Sequence, residues 1–230
     1  MARLILLTQP EFADTVVRAL RAVAGTLDLR VATTKAELEA DMADGVRLVS
    51  FGSGVIVPAA LLARATAGAY NFHPSPPEYP GIFPSVFALY DGAPRFGVTL
   101  HEMAALVDSG PIVAVDEFDI PPAWDRLALD TASFRALITL LAQTAPQLTD
   151  LRKPLPQIAR TWGKTLRTRK DFDSLCHLPD DVSAEEFTRR YRAVGEGPDH
   201  ALTLTRDGQT YRFDTKRGNA VVRGGQPVGS

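Results

Sequence analysis

The chain has 230 residues, 45% of them hydrophobic and 23% charged, with a formal net charge of −2. This composition fits a water-soluble folded chain able to bury a core, and it excludes both a disordered chain and a globally basic nucleic-acid binder. The single cysteine, Cys176, excludes an internal disulfide framework and a Cys-rich metal site, and no apolar run reaches the ~18 residues that a membrane span needs. The first residues, Met-Ala-Arg-Leu-Ile-Leu-Leu-Thr, lack the small-residue cleavage site of a secretory leader and read as a strand, so a cytoplasmic location is expected.

Arg3–Thr8 is an apolar run that predicts a buried strand. Phe12, Val16, Leu20 and Val23 then recur at helical spacing and predict a helix over 12–23. Leu27–Val31 reads as a second strand. Thr33 or Thr34 can cap a helix over Lys35–Met42, because a threonine oxygen accepts an orphan backbone N–H. Val46–Phe51 reads as a third strand. The Gly52-x-Gly54 pair that follows lacks the third glycine and the acidic partner of a dinucleotide fingerprint. It instead predicts a loop in which backbone passes close to a ligand or to another segment. Pro58 opens a helix over Ala59–Thr66, Gly68 ends it, and Ala69–Phe72 forms a strand that carries Asn71 and leads to His73.

Pro74 to Pro84 holds repeated prolines and Gly81, which predicts a loop of fixed shape. Ser85–Tyr90 reads as a short helix. Gly97–Met103 alternates as a strand, with Thr99 and His101 on one face and Val98 and Leu100 on the other. Asp108-Ser-Gly110 is a turn, Pro111–Phe118 a further strand, and Trp124–Asp150 a long helix. A basic cluster follows: Arg152, Lys153, Arg160, Lys164, Arg167, Arg169 and Lys170, broken by Pro154 and Pro156. It places a domain boundary near 150. Ser183-Ala-Glu-Glu186 predicts a capping box opening a helix through Arg192. Leu202–Thr205 and Thr210–Phe213 pair as a hairpin through Asp207-Gly208, and the terminal Gly-Gly-Gln-Pro-Val-Gly-Ser is expected to fray. Strands alternating with helices imply an α/β, Rossmann-like fold: a mostly parallel sheet with helices on both faces over 1–150, plus a small C-terminal α+β appendage over 151–230.

Three polar side chains at the ends of apolar runs are candidates for chemistry. His73 can serve as a general acid or base, Asn71 can donate an amide N–H to a developing oxyanion, and Asp108 can orient His73 or relay a proton. Each also has an ordinary structural explanation when taken alone: a histidine beside a strand, an asparagine before a proline-rich loop, an aspartate in a turn. No zinc-ligand spacing appears around His73, His101 and Asp108, so no metal is expected. Ser75 lacks a nucleophile elbow. Cys176 reads as a packed side chain.

Together these residues resemble the formyltransferases that use 10-formyltetrahydrofolate. The resemblance rests on Asn71-x-His73-Pro74-Ser75, Tyr79-Pro80-Gly81, Gly97-Val-Thr-x-His101 and Asp108-x-Gly110-Pro111-Ile112-Val113. It covers roughly 46–120 strongly, and 150–213 more loosely through Lys170-Asp-Phe-Asp and Tyr191-Arg-Ala193. Three departures stand out, one being that the N-terminal half is short, with Asn71 arriving about one βα unit earlier than is usual. Pro76-Pro77-Glu78 is one residue shorter than the usual Leu-Leu-Pro loop. Thr8-Gln9-Pro10 stands where phosphate-binding glycines are usual, so a phosphoribosyl substrate is not carried over.

The resemblance implies formyl transfer to a primary amine through a tetrahedral intermediate, with 10-formyltetrahydrofolate as donor and no metal. It implies that Asn71 and a protonated His73 stabilise the oxyanion while Asp108 holds His73 and takes or relays the amine proton. It places the donor against Gly54, Val55, Ile56, Val57 and Val107, and puts Thr99, His101 and Ser75 behind the catalytic side chains. The expected acceptor is a small amine on a nucleotide-linked amino sugar, in a chain that can pair as a homodimer. The alternatives are a methionyl-tRNA formyltransferase, to which the basic cluster at 152–170 is suited, and a formyltetrahydrofolate deformylase, in which water replaces the amine.

Overall fold

A computed structural model describes residues 3–197, 200–213 and 223–224. In chain order the elements are β1 (Arg3–Thr8), α1 (Pro10–Val23), β2 (Leu29–Ala32), α2 (Lys35–Asp41), β3 (Val46–Phe51), α3 (Ala59–Leu62) and β4 (Ala69–His73). They continue with α4 (Pro84–Asp91), β5 (Arg95–Glu102), β6 (Ile112–Asp119) and α5 (Arg126–Thr149). The last are α6 (Arg169–Cys176), β7 (His177–Leu178), α7 (Ala184–Val194), β8 (Thr203–Arg206), β9 (Gln209–Arg212) and β10 (Arg223–Gly224). No helix among the described residues is long and apolar enough to cross a membrane.

The central sheet has the order β2-β1-β3-β4-β5-β6. β2, β1, β3 and β4 run parallel, whereas β5 runs antiparallel to β4. A sheet covered on both faces needs apolar side chains on both, which is why β1 is the unbroken run Leu4-Ile-Leu-Leu7, all fully buried. Strand alternation sorts that run. Leu4 and Leu6 join one core with Val16 and Leu20 of α1 and Leu137, Leu140, Leu141 and Leu148 of α5. Ile5 and Leu7 join a second core with Leu38 of α2 and Leu61 of α3. The chain leaves β1 toward β2 on one side and returns to β3 on the other, and such a reversal opens a crevice at the carboxyl ends of the strands.

Contacts divide the described chain into two compact units. The first comprises 1–80, 97–118 and 132–164; the second comprises 81–96, 119–131 and 165–230. In the second, Tyr90 of α4 donates to Glu186 of α7 at 2.8 Å, and the Arg189 guanidinium lies over the Tyr90 ring. Phe172 of α6 stacks on Phe83, and β7 to β10 form a separate small sheet.

Several elements differ from the sequence expectation. α3 stops at Leu62 because the chain tightens there: Arg64 and Ala65 bond back three residues, and the Thr66 hydroxyl accepts from Gly45 N–H at 2.7 Å. The capping box at Ser183 forms only by half, since Glu186 turns its carboxylate to Tyr90 and Arg190. A reciprocal box instead opens α6, where Thr168 and Asp171 exchange bonds. The hairpin turn has Asp207 at φ 53° and Gly208 at φ 75°, as a two-residue turn with positive φ requires. Gly224 lies in β10, and the rest of the terminal run lies outside the described residues.

Arg47 is a charged side chain in the middle of β3, with no exposed surface. Its guanidinium donates to the carbonyls of Ala67 (2.8 Å), Gln147 (2.8 Å), Leu148 (3.1 Å) and Asp150 (3.0 Å), and also to that of Lys153. Three of these belong to the end of α5 and the residues just past it, where free carbonyls and the helix dipole favour a cation. Arg47→Met removes the donors and leaves those carbonyls buried without them. It is expected to lower unfolding stability by about 3 kcal/mol or more, as read from a urea midpoint.

Candidate active site

The site follows from strand alternation. Tyr70 and Phe72 of β4, and Val98 and Leu100 of β5, belong to the core shared with α1 and α5. Asn71, His73, Thr99 and His101 therefore project from the opposite face. The antiparallel register then sets Asn71 across from His101 and His73 across from Thr99. Two polar pairs thus share one patch of sheet at the carboxyl end of β4.

Asp108 arrives from the turn between β5 and β6, in the left-handed region at φ 47°. Aspartate tolerates that conformation better than most non-glycine residues. Its carboxylate oxygen Oδ1 lies 3.6 Å from His73 Nδ1 and 3.5 Å from His101 Nε2. All three side chains are buried, at 7% exposure or less. His101 Nδ1 faces the Glu102 carbonyl at 2.8 Å, and a carbonyl only accepts, so Nδ1 carries the hydrogen. Nε2 then accepts from the Asn71 amide nitrogen at 3.2 Å. That bond orients the Asn71 amide, leaves its second N–H free of this contact, and gives His101 a function beyond packing.

His73 has acceptors at both ring nitrogens, Asp108 at Nδ1 and the Tyr79 carbonyl at Nε2 (3.4 Å). Both neighbours favour the charged ring, but burial outweighs them and His101 opposes them too, so the pKa of His73 lies below its ordinary 6.5. Burial thus weighs against the protonated His73 that the resemblance implies.

The proline-rich loop is fixed from below. Thr99 Oγ1 donates to the Ser75 carbonyl at 2.7 Å, and the Ser75 hydroxyl to the Tyr79 carbonyl at 2.8 Å. Both side chains are fully buried, so Ser75 acts on the loop's shape rather than as a nucleophile. An extended stretch after α5 closes the site from the side. Leu155 N–H donates to the Tyr70 hydroxyl, Ile158 N–H to the Ile112 carbonyl, and Gly163 N–H to the Pro77 carbonyl. Arg160 bridges Glu78 at 2.9 Å and Glu117 at 2.7 Å. Between these anchors Trp162 meets both histidine rings. Sequence reasoning missed it: its only signal was a lone tryptophan inside a basic stretch.

The residues expected at the donor divide by role. Val55 and Val57 pack against the second core, and the Val55 N–H donates to the Ser53 hydroxyl at 3.2 Å. Ile56 and Val107 are 69% and 49% exposed, and Leu106 beside them in sequence is 75% exposed. A side chain at Gly54 would meet open space, whereas one at Gly52 would strike the Phe12 ring at 2.6 Å. The close approach expected of this loop is therefore, at Gly52, an approach to Phe12. Much of the basic cluster is occupied by partners: Arg152 pairs with Asp150, Arg160 with Glu78 and Glu117, Arg167 with Asp91 and Arg169 with Asp173. Burial pushes the Cys176 thiol up to about 11, an unreactive state. Among the described residues no group of three or more His, Cys, Asp or Glu is arranged to hold a metal ion.

Comparison with known proteins adds to this geometry. A sugar N-formyltransferase from Shewanella is 18% identical, with a TM-score of 0.74 over 92% of this chain and 96% of that one. A candidate sugar N-formyltransferase from Mycobacterium tuberculosis is 23% identical, with a TM-score of 0.72 over 99% of this chain and 100% of that one. An N-formyltransferase from Helicobacter canadensis, solved with folinic acid and dTDP-3-aminofucose, is 15% identical, with a TM-score of 0.67 over 92% of this chain and 86% of that one. At these identities the likeness is one of fold. The sequence profile of the formyl transferase family, however, matches residues 16–133, more than half of the chain, and that stretch contains Asn71, His73, Thr99, His101 and Asp108. The chain belongs to the formyl transferase family.

Proposed function

We propose that this enzyme moves a formyl group from 10-formyltetrahydrofolate to the primary amine of a nucleotide-linked amino sugar, using Asn71, His73 and Asp108. The observation that carries the reading is the placement of an amide, an imidazole and a carboxylate on one patch of sheet at the carboxyl end of β4, within the family's matched stretch. Membership of the family supports the reaction class. The acceptor and donor are supported by the fold shared with sugar N-formyltransferases, one of them solved with a folate and a dTDP-amino sugar. The pairing of the basic cluster disfavours a transfer-RNA acceptor, which would need free cations for phosphate. Gly54, Val55 and Val57, with the exposed side chains of Ile56 and Val107, would hold a flat apolar heterocycle with polar edges.

The bound donor supplies the electrophilic formyl carbon. Every other part of the work falls to this chain. As the amine attacks, negative charge develops on the formyl oxygen, and fixed N–H donors stabilise it most when water is excluded. Asn71 has an N–H beyond its bond to His101, and His73, when its ring carries a hydrogen at Nε2, can turn that N–H from the long contact with the Tyr79 carbonyl to a stronger acceptor. A neutral imidazole suffices as a donor here. Asp108, buried and acceptor-only when ionised, takes the proton lost by the amine, directly or through water; collapse of the tetrahedral intermediate would then break the formyl C–N10 bond, and the proton would pass to N10 of the departing tetrahydrofolate. We further propose that residues 1–150 carry the chemistry and 151–230 select the acceptor, in a cytoplasmic enzyme.

Incubation with 10-formyltetrahydrofolate and a panel of dTDP-amino sugars, read by mass spectrometry, is expected to yield the N-formylated sugar nucleotide. Formate release that ignores the amine, or transfer only to aminoacylated transfer RNA, would contradict the reading. Asn71→Ala and His73→Ala are each expected to lower kcat by about 10²–10³-fold. Because the folded-state pKa of His73 is depressed, the unfolded chain binds the extra proton below about 6.5. Its contribution is therefore fully present above 6.5 and is lost as pH falls from there through the depressed folded-state value. The melting temperature should drop on acidification toward pH 5, and the drop should be shallower in His73→Gln. An equal slope in both would sink the assignment of a neutral buried His73.

A further inference from the structure

We propose that Trp162 is a positioning residue for the formyl-transfer site, whose indole holds the rings of His73 and His101 in place and keeps water from between them. The role rests on the assignment of His73 to the reaction. The indole meets the His101 ring edge-to-face at 4.9 Å between centroids and 88° between planes. It meets the His73 ring in the same manner at 5.8 Å and 71°. The two imidazoles are themselves 6.4 Å apart and nearly perpendicular, so one indole touches both members of the pair that shares Asp108.

The indole is itself held. Its Nε1–H donates to the Gly110 carbonyl at 2.8 Å. Gly110 cannot back away, because an added Cβ there would lie 2.0 Å from the Glu102 carbonyl oxygen. Arg160 anchors the stretch before the ring through Glu78 and Glu117, and Gly163 anchors it after the ring through the Pro77 carbonyl at 2.8 Å. A side chain on Gly163 would meet the Glu78 carbonyl oxygen at 2.6 Å, so this close approach needs a glycine. A ring fixed at both flanks and at its own nitrogen can restrain its neighbours, whereas a loosely held one could only fill space.

The groups facing His73 are Asp108 and the Tyr79 carbonyl, which favour the charged ring, and His101, which opposes it. The guanidinium on the Trp162 stretch, Arg160, is engaged by two carboxylates. Trp162 adds no charge to this set. Its contribution is exclusion of water, in line with the dominance of burial at His73.

The test uses the full chain and its four histidines, whose ring C–H signals can be assigned by NMR. Titrations and kinetics are compared for wild type, Trp162→Phe and Trp162→Leu, the last keeping apolar bulk without a ring. In Trp162→Leu the His73 midpoint is expected to rise toward 6.5, and kcat to fall about 10-fold to 100-fold with a smaller change in KM. Trp162→Phe should keep most of both. A His73 midpoint and a kcat in Trp162→Leu equal to wild type would overturn the proposal, as would Trp162→Phe behaving no better than Trp162→Leu. If Trp162→Leu does not fold, the comparison of Trp162→Phe with Trp162→Tyr decides it. Both should hold the His73 midpoint near the wild-type value, and a rise to 6.5 in both would overturn the proposal. The NMR arm needs no substrate. A shifted midpoint in an enzyme that fails to formylate amino sugars would therefore reject the proposed function while leaving the role of Trp162 intact.

Discussion

The antiparallel register between β4 and β5 is the constraint on which the site depends. Asn71 opposes His101 and His73 opposes Thr99, and a slip of one residue would turn both site side chains of the slipped strand into the core on the other face. The register is well determined, because Tyr70, Phe72, Val98 and Leu100 must all reach that core. Apolar burial thus does the positioning, and the polar face inherits its geometry. From there the chemistry follows in steps. His101 orients the Asn71 amide, Asp108 meets both histidines, and Thr99 and Ser75 hold the loop whose Tyr79 carbonyl faces His73.

A second constraint comes from later in the chain. After α5 the backbone runs from Leu155 to Gly163 along the first unit, tied to Tyr70, Ile112, Glu78, Glu117 and Pro77. Arg47 fixes where that stretch begins, since it gathers carbonyls from the end of α5 and from Lys153. A buried guanidinium is costly to desolvate, and here each of its nitrogens has a carbonyl within reach. The same stretch delivers Trp162 to the histidines, so a fold-level capping interaction and the enclosure of the site lie on one continuous piece of chain.

Much of this was legible in the amino-acid sequence, and the limits are physical. The run Arg3–Thr8 and the alternation over Gly97–Met103 report directly on strands, the first apolar on both faces and the second with Thr99 and His101 opposite Val98 and Leu100, although the fold buries both of its faces. Asn71, His73 and Asp108 were legible as a set through their motifs. The antiparallel direction of β5 was not, because a strand's residue pattern is the same read in either direction. Trp162 was not, because its partners are distant in sequence and nothing local marks it. The burial that bears on the charge of His73 is a property of the fold: the carboxylate nearby argues for a proton, and enclosure and His101 argue against it. Thr168-x-x-Asp171 and the arginine inside β3 were visible signals that went unused.

The central claim of the proposed function is that Asp108 takes up the amine proton beside His73 during formyl transfer. Asp108→Asn tests it most directly, because asparagine keeps the side chain's size and tolerates the left-handed backbone at φ 47° while removing the carboxylate. Single-turnover formyl transfer from 10-formyltetrahydrofolate to an amino-sugar nucleotide should slow by about 10²–10⁴-fold, with binding of the nucleotide unchanged. A rate within a few-fold of wild type would contradict the account.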